Sequence, residues 1–410
     1  MKILQLARRF VTHEWGGTES VIAMLSKHFA IQGHSSELWT SSALSVPGHE
    51  KVAGVQVCRF KYLYPFFGLS PADKLALDKK GGNLISFEMQ KALLASNPDI
   101  YHLHTGKRFG GQMALAARLR RKPYVITLHG GYLDVPDIER ADLLDPIKGK
   151  LEWGKALGAI LGSRTLLKRA DAIFCVNPNE AKKLEAANIN SRIEFLPNGV
   201  EAETFANGNG ESFRKLHGYT AKDKIVLCIS RLDHQKNQAG LLRAFAKACK
   251  MHNDYRLLLI GPQTNAAYVE KLSELAGNLE ISAKLKILPA LQAGSSELVD
   301  AYSAADVFVL PSLHEPFGIV ILEAWASKKA VIASNVGGIP YFVKHDKSGL
   351  LFEANDIEML ASQIESVLEQ NCLAKKLSEN GFKKAVDEFA WDKIATRILG
   401  IYEELIAGVR

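Results

Sequence analysis

Short apolar runs alternate with helical patterns along this chain in two successive series, and no other feature restricts its fold as strongly. In the first series the runs at 2–7, 36–40, 55–60, 99–103, 124–128, 171–176 and 192–196 read as strands, with helical periodicity at 18–31, 84–95, 110–120 and 178–187. A second series restarts at Lys224, with strands at 224–230, 255–260, 285–288, 306–310 and 330–334 and helices at 237–251, 265–276, 296–304 and 317–327. Such alternation calls for parallel, doubly wound sheets, so the expected class is α/β with two Rossmann-like halves. The junction falls in NGVEAETFANGNGES, residues 198–212, where Gly, Asn and Ser cluster and periodicity is lost. Further helical patterns close the chain at 356–370, 372–388 and 392–407, while 62–84 and 133–167 are irregular. Because ligands of doubly wound sheets lie at the carboxyl ends of the strands, a cleft between the halves is the expected active site.

Composition agrees with two soluble halves. At 410 residues the chain exceeds one ordinary core and fits two domains of roughly 200 residues. No run approaches about 18 apolar residues, and Arg8 and Arg9 follow the first apolar stretch, the reverse of a signal peptide, so a cytoplasmic protein is expected. The five cysteines are scattered and mostly sit in apolar runs, as reduced core thiols do. The net charge of +7 divides into +9 over residues 1–200 and −2 over 201–410. A basic first half would attract an anionic membrane surface or an anionic acceptor, although ordinary solubilising charge gives the same count. No nucleic-acid motif accompanies it. The run LEWGKALGAILGSRTLLKR reads either as an amphipathic helix on a membrane surface or as a helix packed on its own core.

The densest chemistry lies in HEPFGIVILE, residues 314–323, where Glu315 and Glu323 flank seven residues just after an apolar strand. On one continuous helix an eight-residue step turns roughly 800° and rises about 12 Å, which would put both carboxylates on one face, one for a sugar and one for a ribose. A charge inside so apolar a helix needs a partner. Phosphate handling is indicated at three places, each following a strand. Gly16 and Gly17 open a helix whose amides can face an anion; Arg231 and Lys236 can clamp a pyrophosphate; and Val336-Gly337-Gly338 forms a third turn. Each has a plain reading as an ordinary turn. His102, His104 and His129 end two strands of the first half, but no Asp or Glu accompanies them at ligand spacing, so no metal site is expected. His129, at a strand tip before two glycines, is placed to hydrogen-bond a substrate hydroxyl or an oxyanion, with a packed histidine as the alternative.

The runs LPNGV (196–200), SRLDHQKN (230–237), AADVFVLPSLHEPFGIVILEAWA (304–326), SNVGGIPYFV (334–343) and the early GGTE resemble a retaining glycosyltransferase of family 4 with the GT-B fold, over nearly the whole chain. The resemblance implies a nucleotide-sugar donor, two Rossmann-like domains facing each other across a cleft, and no cofactor or metal. It places an acceptor domain at 1–200 and a donor domain at 201–389, with a C-terminal helix of about 390–410 packing back on the first. Carried over, Glu315 would meet the donor sugar, and the amides of Phe317, Gly318, Ile319 and Val320 would hold sugar hydroxyls and phosphate. Glu323 would bind the ribose, while Arg231, Lys236 and Gly17, with Gly16, would grip the diphosphate. His129 would contact the sugar. Ser327-Lys328-Lys329-Ala330 departs from the usual pattern by lacking glycine and proline, KILPAL replaces a glycine-containing turn near the base, and Trp325 stands where methionine is usual. The implied function is transfer of a hexosyl-type sugar to a glycan or lipid-linked acceptor in envelope polysaccharide or lipopolysaccharide assembly, at or near the inner face of the cytoplasmic membrane. The alternatives are a small soluble acceptor, an epimerase of the same fold, or a non-catalytic nucleotide-sugar-binding protein. No GxGxxG follows any strand, which disfavours nicotinamide chemistry.

Overall fold

The computed structural model describes residues 1–130, 145–189, 191–263 and 266–408. Of the irregular stretch expected over 133–167, residues 133–144 lie outside the described residues. The chain divides into two units, Met1–Pro197 with Trp391–Arg410, and Asn198–Ala390.

The first unit is built on eight strands: β1 (Lys2–Leu6), β2 (Ser35–Ser41), β3 (Gly48–Val52), β4 (Val55–Phe60), β5 (Ile100–Leu103), β6 (Tyr124–Leu128), β7 (Ala172–Cys175) and β8 (Arg192–Phe195). Their order is β3-β4-β2-β1-β5-β6-β7-β8, and every pair is parallel except β3 with β4. That hairpin turns through Ala53 (φ 48°) and Gly54 (φ 83°), two left-handed residues that match strand twist. The strand β3 is absent from the sequence reading because GHEKV is polar and solvent-facing at the sheet edge, with no apolar alternation to reveal it.

Helices α1 (Gly17–Ile31), α2 (Pro71–Lys80), α3 (Phe87–Ala95) and α4 (Lys107–Arg120) belong to this unit. The irregular stretch 62–84 contains α2, which begins with Ser70 Oγ accepting from the Asp73 amide and Pro71 at its first position. Its last carbonyls, which no intrahelical amide reaches, accept from Arg8 (to Asp78 O, 2.8 Å), Arg9 (to Lys79 O, 3.1 Å) and, just beyond, Lys107 (to Gly81 O, 3.1 Å). Part of the basic excess of this half is therefore committed internally. The C-terminal helix, Trp391–Gly408, packs on α1 through Tyr402 and Phe29, whose ring centroids are 5.9 Å apart.

The stretch read as one amphipathic helix is instead broken. Helix α5 covers only Lys155–Ile160, and Gly162, at φ 68°, turns the chain away. Leu161 and Leu166 are buried, whereas Leu151, Trp153 and Ile160 are 70%, 41% and 68% exposed, so core and surface share the apolar residues. Among the described residues no helix is long and apolar enough to cross a membrane.

The second unit carries β9 (Lys224–Ile229), β10 (Tyr255–Ile260), β11 (Leu285–Leu288), β12 (Val307–Leu310), β13 (Ala330–Ser334) and β14 (Leu350–Phe352), all parallel, in the order β11-β10-β9-β12-β13-β14. Helices α6 (Gln238–Ala248), α7 (Ser296–Ala304), α8 (Ile319–Ala326), α9 (Ile357–Glu369) and α10 (Asn371–Glu388) flank the sheet. At the end of α8 Lys328 adopts φ 56°, a left-handed conformation that glycine takes more cheaply. Trp325 is fully buried and donates from Nε1 to Ser348 O at 2.8 Å, so its place is structural. A Cβ at Gly381 on α10 would lie 2.2 Å from Trp325 Cδ1. Gly381→Ala therefore loses about 1–3 kcal/mol in a urea titration, overpacking outweighing the better helix propensity of alanine.

Candidate functional site

In the second unit β9 lies between β10 and β12, so the chain leaves its carboxyl end on one side while later strands build on the other. That reversal of strand order opens a crevice at the carboxyl ends of β9 and β12. Two loops occupy it. The first runs from Ser230 to Asn237 and is stiffened by its own side chains. The Asp233 carboxylate accepts from the Lys236 amide at 3.2 Å and caps a 3-10 turn over His234–Lys236. Asn237, left-handed at φ 53°, caps α6. Gln238 Nε2 donates to Ser230 Oγ and Arg231 O at 2.9 and 2.8 Å.

The second loop runs from Pro311 to Gly318 and carries Glu315. Lys236 Nζ donates to Glu315 Oε2 at 2.7 Å, and Ser312 Oγ donates to the same oxygen at 3.2 Å. With side-chain exposures of 13% and 10%, the two ions face little water, so their attraction is screened less than that of a surface pair and losing one partner would strand the other. The loops are also joined through the backbone, Leu313 N donating to Gln235 O at 2.8 Å and Gln235 Nε2 to His314 O at 3.3 Å. Arg231 reaches the same Gln235 from above, Nη2 to Oε1 at 2.8 Å, and pairs with Asp233 at 3.2 Å while remaining half exposed.

The expectation that Glu315 and Glu323 share a helix face fails. Helix α8 starts only at Ile319, after Pro316 and after Gly318, whose φ of 95° no other residue type adopts readily. Glu315 therefore belongs to the loop and Glu323 alone to the helix. The turn at Val336-Gly337-Gly338, the third expected phosphate place, braces this loop. The Gly338 amide donates to Glu315 O at 2.9 Å, and a Cβ on Gly337 would lie 2.0 Å from that oxygen. Gly337→Ala is expected to cost at least about 1–3 kcal/mol, from its φ of 57° alone, and to displace Glu315; denaturant titration of the purified variant checks it.

Gly318, at the start of α8, brings no capping side chain, and the positive end of the helix dipole lies there, the feature an anion would meet. Phe317 is buried and stacks on Phe342 at 4.8 Å, and Gly318 is buried with it; Ile319 and Val320 are half buried. Glu323 finds the partner its setting demands in Tyr302 on α7, whose hydroxyl donates to Oε2 at 2.6 Å. Burial nevertheless raises the Glu323 pKa, and it holds Tyr302 well above the usual phenol range. Nothing local in the sequence identifies Tyr302 or Ser312 as partners.

In the first unit β1 lies between β2 and β5, a second reversal of strand order, and Gly16, Gly17 and His129 follow strands near it. The Gly16 amide is already given to Glu19 Oε2 at 3.1 Å, which leaves Gly17 as the glycine whose amide opens the helix. Along β1, β5 and β6 a row of polar side chains points to one sheet face. Gln5 is aligned with His102 in the pairing register; His104 and Thr127 follow, and His129 stands beyond the end of β6. His104 Nδ1 is 2.9 Å from His129 Nε2, and His104 Nε2 is 2.9 Å from Gln5 Oε1. His102 lies between Thr127 Oγ1 and Tyr402 Oη, each at 2.6 Å. His104 and His129 thus bond to each other, His104 also to a carbonyl oxygen and His102 to two hydroxyls, all neutral partners, which is the arrangement of uncharged rings. The described residues contain one group spaced for a metal ion, Glu37, His49 and Cys58, on β2, β3 and β4.

Burial lowers the His102 pKa to about 3, with His129 adding to the effect; it lowers His104 well below the ordinary value and His129 to about 4. With folded-state values below unfolded ones, the unfolded chain takes up protons first, so stability is lost as pH falls below about 6.5. Each such histidine contributes a slope of about 1.4 kcal/mol per pH unit, with Glu19 and Asp171, whose values are raised by burial, acting oppositely in the same unit. His102→Gln, which keeps polar partners for Thr127 and Tyr402, is expected to reduce the slope of urea-unfolding stability between pH 6.5 and 4.5 by about 1 kcal/mol per pH unit.

Residues 15–204 match the family model described as Glycosyltransferase Family 4, and residues 210–384 match that described as Glycosyl transferases group 1. The D-inositol 3-phosphate glycosyltransferase of Mycobacterium ulcerans is 27% identical over 408 residues, spanning 96% of this chain and 83% of that one. Sucrose-phosphate synthase from Thermosynechococcus elongatus shares the fold with a TM-score of 0.74 at 21% identity, over 99% of both chains. HepE from Anabaena, solved in complex with UDP-glucose, does so with a TM-score of 0.72 at 19% identity, over 98% of this chain and 100% of that one. Two doubly wound units matched end to end in this way define a glycosyltransferase of the GT-B type. The chain belongs to glycosyltransferase family 4, with a group 1 domain as its second half.

Proposed function

We propose that the protein transfers a hexosyl-type sugar from a nucleotide diphosphate sugar to a hydroxyl of a glycan or lipid-linked acceptor, with retention of configuration and without a metal ion or other cofactor. The observation that carries this reading is the Lys236–Glu315 pair, buried at the strand-order reversal beside the uncapped start of α8. A diphosphate seated on the α8 amides would be met by Lys236 and Arg231, two fixed cations that can take up charge as it leaves. Drawing Lys236 toward that charge frees the Glu315 carboxylate to face the glycosyl carbon, where negative charge stabilises an oxocarbenium-like transition state. The departing phosphate oxygen is the base for an acceptor hydroxyl approaching the same face, so no enzyme nucleophile is required. Glu323 would bind the ribose hydroxyls, and Gly16, Gly17 and His129 would serve the diphosphate and the sugar from the first unit.

The acceptor assigned here is an anionic or lipid-linked glycan of envelope polysaccharide or lipopolysaccharide assembly, handled at the inner face of the cytoplasmic membrane. Its support is the net charge of +9 in residues 1–200, together with exposed Leu151, Trp153 and Ile160 close in sequence to exposed Lys148, Lys155 and Lys168. A second reading, a small soluble acceptor, is favoured by one observation: the Mycobacterium ulcerans relative is named for an inositol phosphate.

A panel of uridine, guanosine and adenosine diphosphate sugars is expected to contain one donor that raises the melting temperature and releases its nucleoside diphosphate only when acceptor is added. Isomerisation without release would mark an epimerase, and stabilisation without either would mark a binding protein. Arg231→Ala and Lys236→Ala are each expected to lower kcat by about 100-fold, with donor affinity changed far less; unchanged turnover sinks the assignment. Lys236→Ala also strands a buried carboxylate, so its melting temperature is compared with that of the Lys236→Met, Glu315→Gln double variant.

A further inference from the structure

We propose that Gln5 and His104 are positioning residues that hold the His129 ring with its proton on Nε2, so that His129 Nδ1 meets the substrate as a hydrogen-bond acceptor and the group it recognises is a hydroxyl. The inference rests on the reading of His129 as a sugar contact. It resolves which of the two ligands open to that histidine, a hydroxyl or an oxyanion, the ring can take.

Gln5 is a polar residue among the buried positions of the strand KILQL, with no exposure to solvent. Its amide nitrogen donates to Ser26 Oγ at 2.8 Å and Ser36 Oγ at 2.7 Å, using both of its N–H groups. Its Oε1 is thereby turned to His104 Nε2 at 2.9 Å. A carbonyl oxygen only accepts, so His104 carries its proton on Nε2. The His104 ring also lies against His102 with centroids 4.0 Å apart, too close for two buried imidazolium rings, and is therefore neutral. A neutral ring protonated on Nε2 has a lone pair on Nδ1. His104 Nδ1 faces His129 Nε2 at 2.9 Å, so His129 is the donor in that bond. Its remaining nitrogen, Nδ1, has no partner among the described residues. Burial keeps His129 uncharged near neutral pH, with its pKa lowered to about 4, so Nδ1 presents a lone pair. A lone pair accepts from an O–H and repels a phosphate oxygen. The second nitrogen of a histidine is commonly fixed in this way by what the first one meets.

The test reads the tautomer directly. In a two-bond proton–nitrogen correlation spectrum of the protein labelled with 15N-histidine, with His129→Gln supplying the assignment, His129 is expected to show a protonated Nε2 and a bare Nδ1. A proton on Nδ1 in the wild type overturns the proposal, whatever the variants do. His104→Asn places a carbonyl oxygen where Nδ1 stands and is expected to preserve the tautomer and most of the rate. His104→Leu and Gln5→Met remove an acceptor and are expected to leave His129 in mixed tautomers, with kcat lowered about tenfold and the donor KM changed little. Equal activity of His104→Leu and His104→Asn also overturns it. If the wild type turns over no nucleotide sugar, the proposed function fails on its own, and the spectrum still decides the tautomer.

Discussion

A carboxylate that keeps only a tenth of its surface in water must be neutralised, and the carboxyl edge of the second unit is organised around that demand. Glu315 has Lys236 on one side and Ser312 on another, while Gly337 and Gly338 press against its backbone from the turn after β13. Lys236 can reach it only because Asp233 winds the preceding residues into a 3-10 turn and Asn237 starts α6 in a left-handed conformation. The arrangement also has a chemical consequence. A cation that already has a carboxylate partner is held in place with its desolvation offset, and a more highly charged anion arriving at α8 can compete for it without any backbone movement.

The first unit solves a different burial problem. Where the second unit buries an ion pair, the first buries imidazoles, and it keeps them neutral by bonding each to a group that carries no charge. Gln5, Thr127 and Tyr402 come from two strands and the C-terminal helix, so the row of histidines is completed by chain segments nearly 400 residues apart in sequence. The same low dielectric that makes an unpaired group costly makes the direction of each hydrogen bond definite. A network with fixed directions can hold one tautomer at its outer end.

The basic character of residues 1–200 divides on inspection into two populations. Arg8, Arg9 and Lys107 are spent on the carbonyl end of α2 and its following turn, and Arg108 pairs with Glu152. Lys148, Lys155 and Lys168 remain outside, close in sequence to exposed apolar side chains. Net charge counted along a chain cannot separate these, because a cation that caps a helix and a cation that faces solvent contribute equally to the sum.

Strand and helix periods, the division into two halves and the identity of Glu315, Arg231, Lys236 and His129 as candidates were all legible in the sequence, because apolar periodicity and the placement of charge after a strand are local properties. The strand β3 and the helix α2 were not, since both are polar and owe their places to neighbours. The helical alignment of Glu315 with Glu323 was a reasonable extrapolation that Pro316 and the φ of Gly318 overrule. What only the tertiary structure decided is which groups meet. Lys236 to Glu315, Tyr302 to Glu323 and Gln5 to His104 are pairings across 79, 21 and 99 positions of chain, and they depend on strand order and sheet face, which no local pattern encodes.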